Sequence, residues 1–203
     1  MVKKTENTEQ KIIQAARTIF LKKGMDGARM QEIADEAGIN KSLLHYYFRS
    51  KEKLFDKVFT DTFSSIVLTI NEVFEKSVSL SDFIENFVTG YTNALIQRPY
   101  IPNFVLNELT QNPQRVIEHI NSANFDKKRL FEIISDEDPD KIKSFNPVHI
   151  LVDILALCVF PFVAQPVITG FIFEGNDEEY ETFIRERTQH VIDFVKTAIF
   201  IQK

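Results

Sequence analysis

The segment Met30-Gln-Glu-Ile-Ala-Asp-Glu-Ala-Gly38-Ile39-Asn40-Lys-Ser-Leu-Leu-His-Tyr-Tyr-Phe48 decides the fold. Its first eight residues place Met30, Ile33, Ala34 and Ala37 on one face at three- and four-residue steps, and Gly38 stops that helix. Asn40 is a good N-cap for the next one, with Ile39 before the cap and Leu44 four residues into the helix as a hydrophobic staple. Two short helices joined by such a turn have helix-turn-helix anatomy, in which the second helix enters the DNA major groove. When Leu44 faces the core, Phe48 joins it, Ser42 and Tyr46 point almost directly away, and His45 lies to one side. Four aromatic rings, His45, Tyr46, Tyr47 and Phe48, surround a helix whose core needs one stripe, so some face outward among the phosphate-seeking Lys41, Arg49 and Lys51.

Helical periodicity extends in both directions. A helix over about Thr8 to Lys23 buries Ile12, Ile13, Ala16, Ile19 and Phe20, and Gly24 stands where a left-handed C-cap belongs. Ser50 caps a long helix whose apolar positions run from Leu54 to Phe74. Further helices are predicted near 81–97, 100–111, 113–134, 147–170 and 177–201. Arg98-Pro99 ends one; Asn112-Pro113, Asn146-Pro147 and the acidic run Asp177 to Glu179 begin others; Ser135 to Asn146 is a polar loop. The expected fold is all-α.

The residues quoted above carry a resemblance. Ala15-Ala-Arg-Thr-Ile-Phe-Leu-Lys-Lys-Gly24, the segment Met30 to Phe55 and the long helix after it resemble the DNA-binding domain of the tetracycline-repressor (TetR) family across roughly residues 9–60. The resemblance implies an N-terminal three-helix helix-turn-helix domain over 1–50 and a larger helical ligand-binding and dimerisation domain over 51–203, with 51–75 as the connecting helix. It implies a repressor released by a small molecule. Matching positions imply base-edge contacts from Gln31, Lys41, Ser42, His45 and Tyr46, and phosphate contacts from Tyr47 and Lys51. Two positions depart from the family: Ala28-Arg29 stands where Ser or Thr is common, so that Arg29 offers phosphate a charge in place of a hydroxyl, and His45 stands where Tyr is most frequent.

Composition sets the remaining bounds. The net charge of −5 hides an asymmetry: residues 1–51 hold 10 Lys and Arg against 6 Asp and Glu, while residues 52–203 hold 14 against 23. A basic first quarter on an acidic body aims one end of the molecule at phosphate. The N-terminus has no apolar run of a secretory signal, and the lone Cys158 has no partner for an intramolecular disulfide, so the expected compartment is the cytoplasm. Ile150 to Phe173 contains Asp153 as its only charge, but Pro161, Gln165, Pro166 and Gly170 argue for a buried or interface helix rather than a membrane span.

Residues 147–170 and 177–201 suit an intersubunit four-helix bundle, and the twofold symmetry of a homodimer would match a pseudo-palindromic duplex operator. Phe87, Tyr91, Phe104, Glu108 and His119 are candidate contacts for an apolar or amphipathic effector, with core packing as the alternative for each; Gly90 makes room for a ligand or for a neighbouring helix. The chain carries no HExxH, no CxxC and no Gly-rich phosphate loop, so neither a catalytic site, a metal nor a cofactor is expected. His149 and Asp153, one turn apart, read as a buried hydrogen-bonded pair. A regulator whose C-terminal domain binds a protein, and less so a small helical enzyme, remain the other readings.

Overall fold

The computed structural model describes residues 2–122, 128, 131–133 and 146–201. Ten α-helices account for most of them: α1 Val2–Gly27, α2 Met30–Glu36, α3 Lys41–Tyr47, α4 Lys51–Lys76, α5 Leu80–Gln97, α6 Ile101–Gln111, α7 Pro113–Ser122, α8 Pro147–Val163, the short α9 Gln165–Val167, which runs into a π-helical turn over Ile168–Ile172, and α10 Asp177–Ile199. Residues 123–127, 129–130 and 134 of the helix predicted over 113–134, and the predicted loop 135–146 apart from Asn146, lie outside the described residues.

The chain divides into two compact units, one of residues 1–65 with 104–119, the other of residues 66–103 with 120–203. The division falls inside α4, α6 and α7 rather than at residue 50. The segment 104–119, 56 residues downstream of the end of the helix-turn-helix at Phe48, therefore belongs to the same compact unit as that motif.

The first unit closes around Ile12, Ala16, Phe20, Ile33, Ala34, Leu44, Leu54, Phe55, Val58 and Phe59, all at 1% exposure or less. Phe20 of α1 meets Phe55 of α4 edge-on at 4.9 Å, and Phe104 of α6 lies 5.5 Å from Phe55 and 5.6 Å from Phe59. Helix α1 begins six residues earlier than the periodicity predicts, since no Gly or Pro interrupts residues 2–8. It kinks at Gly24, whose φ of 66° and ψ of 179° suit glycine alone, and resumes as far as Gly27, so Gly24 is a break within the helix and not the left-handed C-cap expected.

In the second unit α5 packs against α8 and α10. Leu80, Phe83, Ile84, Phe87 and Val88 meet Ile154 and Cys158 of α8 and Val191, Ile192, Val195 and Ile199 of α10. A Cβ on Gly90 would stand 3.2 Å from Thr69 Cγ2, so this glycine admits the side chain of α4. Asn146 Oδ1 accepts from Val148 N–H and Asn176 Oδ1 from Glu178 and Glu179 N–H, which caps α8 and α10.

The single helix expected over 147–170 is instead two segments, bent by 58° across Ala164. Pro166 removes a helical donor, and its ring opposes the carbonyl four residues back, so the helix stops before it. Pro161 likewise leaves the Leu157 carbonyl without its helical donor, and Arg187 Nη2 approaches that oxygen at 3.5 Å. Tyr180 Oη donates to the Pro161 carbonyl at 3.2 Å. Two side chains of α10 thus serve carbonyls exposed by the proline kink, as burial of that face demands. No single helix among the described residues is long and apolar enough to cross a membrane.

Candidate nucleic-acid interface

The turn between α2 and α3 satisfies its own backbone. Gly38 N–H donates to the Asp35 carbonyl at 3.1 Å and Ile39 N–H to the Ala34 carbonyl at 3.0 Å, the paired bonds of a Schellman motif, with Gly38 at φ 66°. Asn40 Oδ1 then accepts from Leu43 N–H at 2.8 Å and starts α3. A seven-residue helix has little stability of its own, so its place depends on Leu44 at 0% and Phe48 at 9% exposure. Ser50 Oγ accepts from Lys53 N–H at 3.2 Å and starts α4.

With Leu44 fixed inward, Lys41, Ser42, His45 and Tyr46 are exposed, Tyr46 at 79%. Tyr47 is half-buried, edge-on to Tyr46 at 5.6 Å. Tyr46 thus presents a large ring to solvent, in contact with little beyond Tyr47. Gln31 is also exposed and donates to Asp35 Oδ1 at 2.8 Å, which holds its amide along α2.

Arg29 is exposed at the N-cap position of α2, where its backbone N–H donates to Glu32 Oε2 at 3.3 Å. Glu32 also takes Lys23 Nζ at 2.8 Å, and chiefly this lysine holds its carboxyl below the usual carboxylate range. Lys51 is half-buried, and its Nζ donates to the carbonyls of Asp26 and Ala28, each at 3.2 Å. Its ammonium therefore ties down the link between α1 and α2.

Sequence reasoning missed a second polar cluster in this unit. Arg115 of α7 donates through Nη1 to Glu108 Oε1 at 2.8 Å and places Nε 3.3 Å from Asp56 Oδ1. Its guanidinium lies over the Phe55 ring at 4.9 Å, with Nη1 3.2 Å from Met25 Sδ. Glu108 is 2% exposed; burial raises its carboxyl above the usual range, and Arg115 pulls it back. Only Glu108 had a sequence signal, as a carboxylate in an apolar helix; Arg115 pairs with residues 7, 59 and 90 positions away, which no local pattern reveals.

The five candidate effector contacts do not fall in one compact unit. Phe87 and Tyr91 stack at 5.5 Å in the second unit, where burial raises the Tyr91 hydroxyl, and neighbouring Cys158 is pushed up to about 11 by burial. Phe104, Glu108 and His119 lie in the first, with His119 4.9 Å from the Phe59 ring and its pKa lowered by burial. His149 and Asp153, expected as a buried pair, are both exposed, because the core-facing stripe of α8 is set by Ile154, Cys158 and Phe162. Among the described residues no group of three or more His, Cys, Asp or Glu is placed to hold a metal ion.

Residues 12–58, which span α1 to the first part of α4, match the family described as bacterial regulatory proteins, tetR family. The helix-turn-helix segment is thus a tetR-family match. The chain is 22% identical over 180 residues to the "Probable HTH-type transcriptional regulator YttP" of Bacillus subtilis strain 168, covering 86% of each chain. It is 27% identical over 145 residues to IcaR of Staphylococcus epidermidis RP62A, the "biofilm operon icaADBC HTH-type negative transcriptional regulator", covering 71% of this chain and 73% of IcaR. The fold is that of a TetR family transcription regulator from Marinobacter aquaeolei VT8, with a TM-score of 0.69 at 14% identity over the whole of both chains. HlyIIR, a hemolysin II transcriptional regulator, is similar with a TM-score of 0.64 at 20% identity, covering 93% of this chain and 96% of HlyIIR. The protein is a helix-turn-helix transcriptional regulator.

Proposed function

We propose that this regulator is a homodimeric, cytoplasmic repressor that reads a pseudo-palindromic duplex operator with α3 and is released by an apolar or amphipathic small molecule. The observation that carries the DNA reading is α3 itself: Leu44 and Phe48 bury one stripe, and Lys41, Ser42, His45 and Tyr46 are left outside on a rigidly capped helix. In this reading Gln31, Lys41, Ser42, His45 and Tyr46 contact base edges while Arg29, Tyr47 and Lys51 contact phosphate. The relatives named as negative regulators support repression.

Dimerisation is supported by apolar surface on α8 to α10: Val148, Val152, Phe160, Val167, Phe171 and Phe194 are each more than half exposed. A second copy covering these residues would present two α3 helices related by a twofold axis, as half-sites about 34–36 Å apart require. Effector binding is assigned to the second unit, where Phe87 and Tyr91 lie. The coupling must be reciprocal, so a ligand that weakens operator binding tenfold binds about tenfold more weakly to the operator complex.

The test is selection of the protein on random duplexes, followed by titration of the winning sequence and a thermal-shift screen of lipophilic compounds with and without it. Recovery of an inverted repeat, and hits weakened by the operator, are expected. No enriched sequence would refute the DNA reading; hits indifferent to operator would refute release by ligand and favour a protein partner.

A further inference from the structure

Arg115 stands far from the helix-turn-helix in sequence and makes none of the contacts assigned to DNA, yet it touches three helices of the same compact unit. From α7 it meets Glu108 on α6, Asp56 and the Phe55 ring on α4, and Met25 Sδ at the end of α1. Those partners sit where the motif is mounted. Met25 follows the break at Gly24 and stands one residue before Asp26, whose carbonyl, with that of Ala28, accepts from Lys51. Phe55 meets Phe20 of α1, and α1 packs on α2, which in turn packs on α3. The same seam is close elsewhere: a Cβ on Gly24 would stand 3.3 Å from Asn107 Nδ2 of α6.

We propose that Arg115 is a positioning residue for operator recognition, and that residues 104–119 are a working part of the DNA-reading unit rather than of the effector-binding region. The inference rests on the DNA reading above. Physically, a planar guanidinium that serves two carboxylates and a ring face at once fixes the angle between α4 and the end of α1 in a way that no single apolar contact does. Glu108 makes the arrangement obligatory. A carboxylate at 2% exposure needs its cation, and without Arg115 it must take up a proton or move out, which carries α6 away from α4.

The experiment compares wild type, Arg115→Met and the double variant Glu108→Gln/Arg115→Met, as full chains, for melting temperature and for affinity to the selected operator and to a scrambled duplex across a salt series. Arg115→Met is expected to lower operator affinity about tenfold or more and to shrink the ratio of operator to scrambled binding. The slope against salt should stay unchanged, because no phosphate contact is lost. In the double variant the stranded charge is gone, so the melting temperature recovers towards wild type, while the link to Asp56 is still missing and operator affinity stays low. Recovery of affinity together with melting temperature would overturn the proposal and leave Arg115 a stabilising residue only. So would unchanged affinity in Arg115→Met, or a salt slope lowered by about 1, which would make Arg115 itself a phosphate contact. Failure of the wild type to select any operator would instead sink the DNA reading itself.

Discussion

Tyr46 and Lys51 lie five residues apart and have opposite physical surroundings. Tyr46 holds nothing in the fold at 79% exposure, whereas Lys51 Nζ is bonded to two carbonyls of the α1–α2 link. Tyr46→Ala or His45→Ala should therefore leave the melting temperature nearly unchanged and alter which operator positions are preferred, read by repeating the selection. Lys51→Ala should weaken binding to every duplex alike and lower the salt slope by about 1, and should also cost about 1–3 kcal/mol of stability from the lost charged hydrogen bonds. A changed sequence preference in Lys51→Ala without one in Tyr46→Ala would overturn the proposed division between base contacts on α3 and a phosphate contact at the start of α4. His119 belongs to this scale too. Burial lowers its pKa beneath the ordinary 6.5, with Asp56 opposing, so the neutral ring is the form the fold prefers. Its contribution is present above that ordinary value and is lost as pH falls through the depressed one. His119→Phe should accordingly flatten the fall in melting temperature below pH 6.5 relative to wild type.

Elements were legible where their signals are local. Gly38, Asn40, Ser50 and Asn146 act where their side chains, or lack of one, dictate a cap, and the bonds at each span five residues or fewer. The faces of α3 followed from one angle once Leu44 was placed inside. Helix α8 was harder. Its prolines were visible, but a continuous apolar run outweighed them in the reading, and the partners that make the break tolerable lie on α10, reached only by folding. Tyr180 Oη on the Pro161 carbonyl is the measurable part of that arrangement. Tyr180→Phe should cost about 1 kcal/mol or somewhat more, since it strands a buried carbonyl, visible as a lower urea midpoint at unchanged slope. A change in slope would mean that the variant alters the compactness of a state rather than one bond. The Arg115 cluster was hidden, Glu108 apart, for the complementary reason: its other members are ordinary residues until α1, α4, α6 and α7 come together.

At the scale of the whole molecule, the exposed apolar surface of α8 to α10 and the twofold demand of an operator are one requirement. Phe194 is 56% exposed on α10, stacked with His190 at a ring separation of 6.4 Å. Phe194→Glu would put a charge into any interface formed there while disturbing little within one chain, so sedimentation should show monomers or aggregates with poor operator affinity. A wild-type monomer that binds a palindromic site tightly would count against the dimer.

The discontinuity of the first unit also governs the order in which the protein becomes functional during its own synthesis. The motif is complete in sequence by residue 65, but its compact unit is not complete until residue 119 has been made. At about 5–20 residues per second the intervening 54 residues take roughly 3–11 s, and more chain must follow before residue 119 clears the ribosome. During that interval α1 to α4 lack Phe104, Glu108 and Arg115, and the apolar faces of Phe55 and Phe59 await their cover. The contacts that brace α1 to α4 are therefore the last of the unit to be made, and under the proposed role of Arg115 accurate operator reading waits for them.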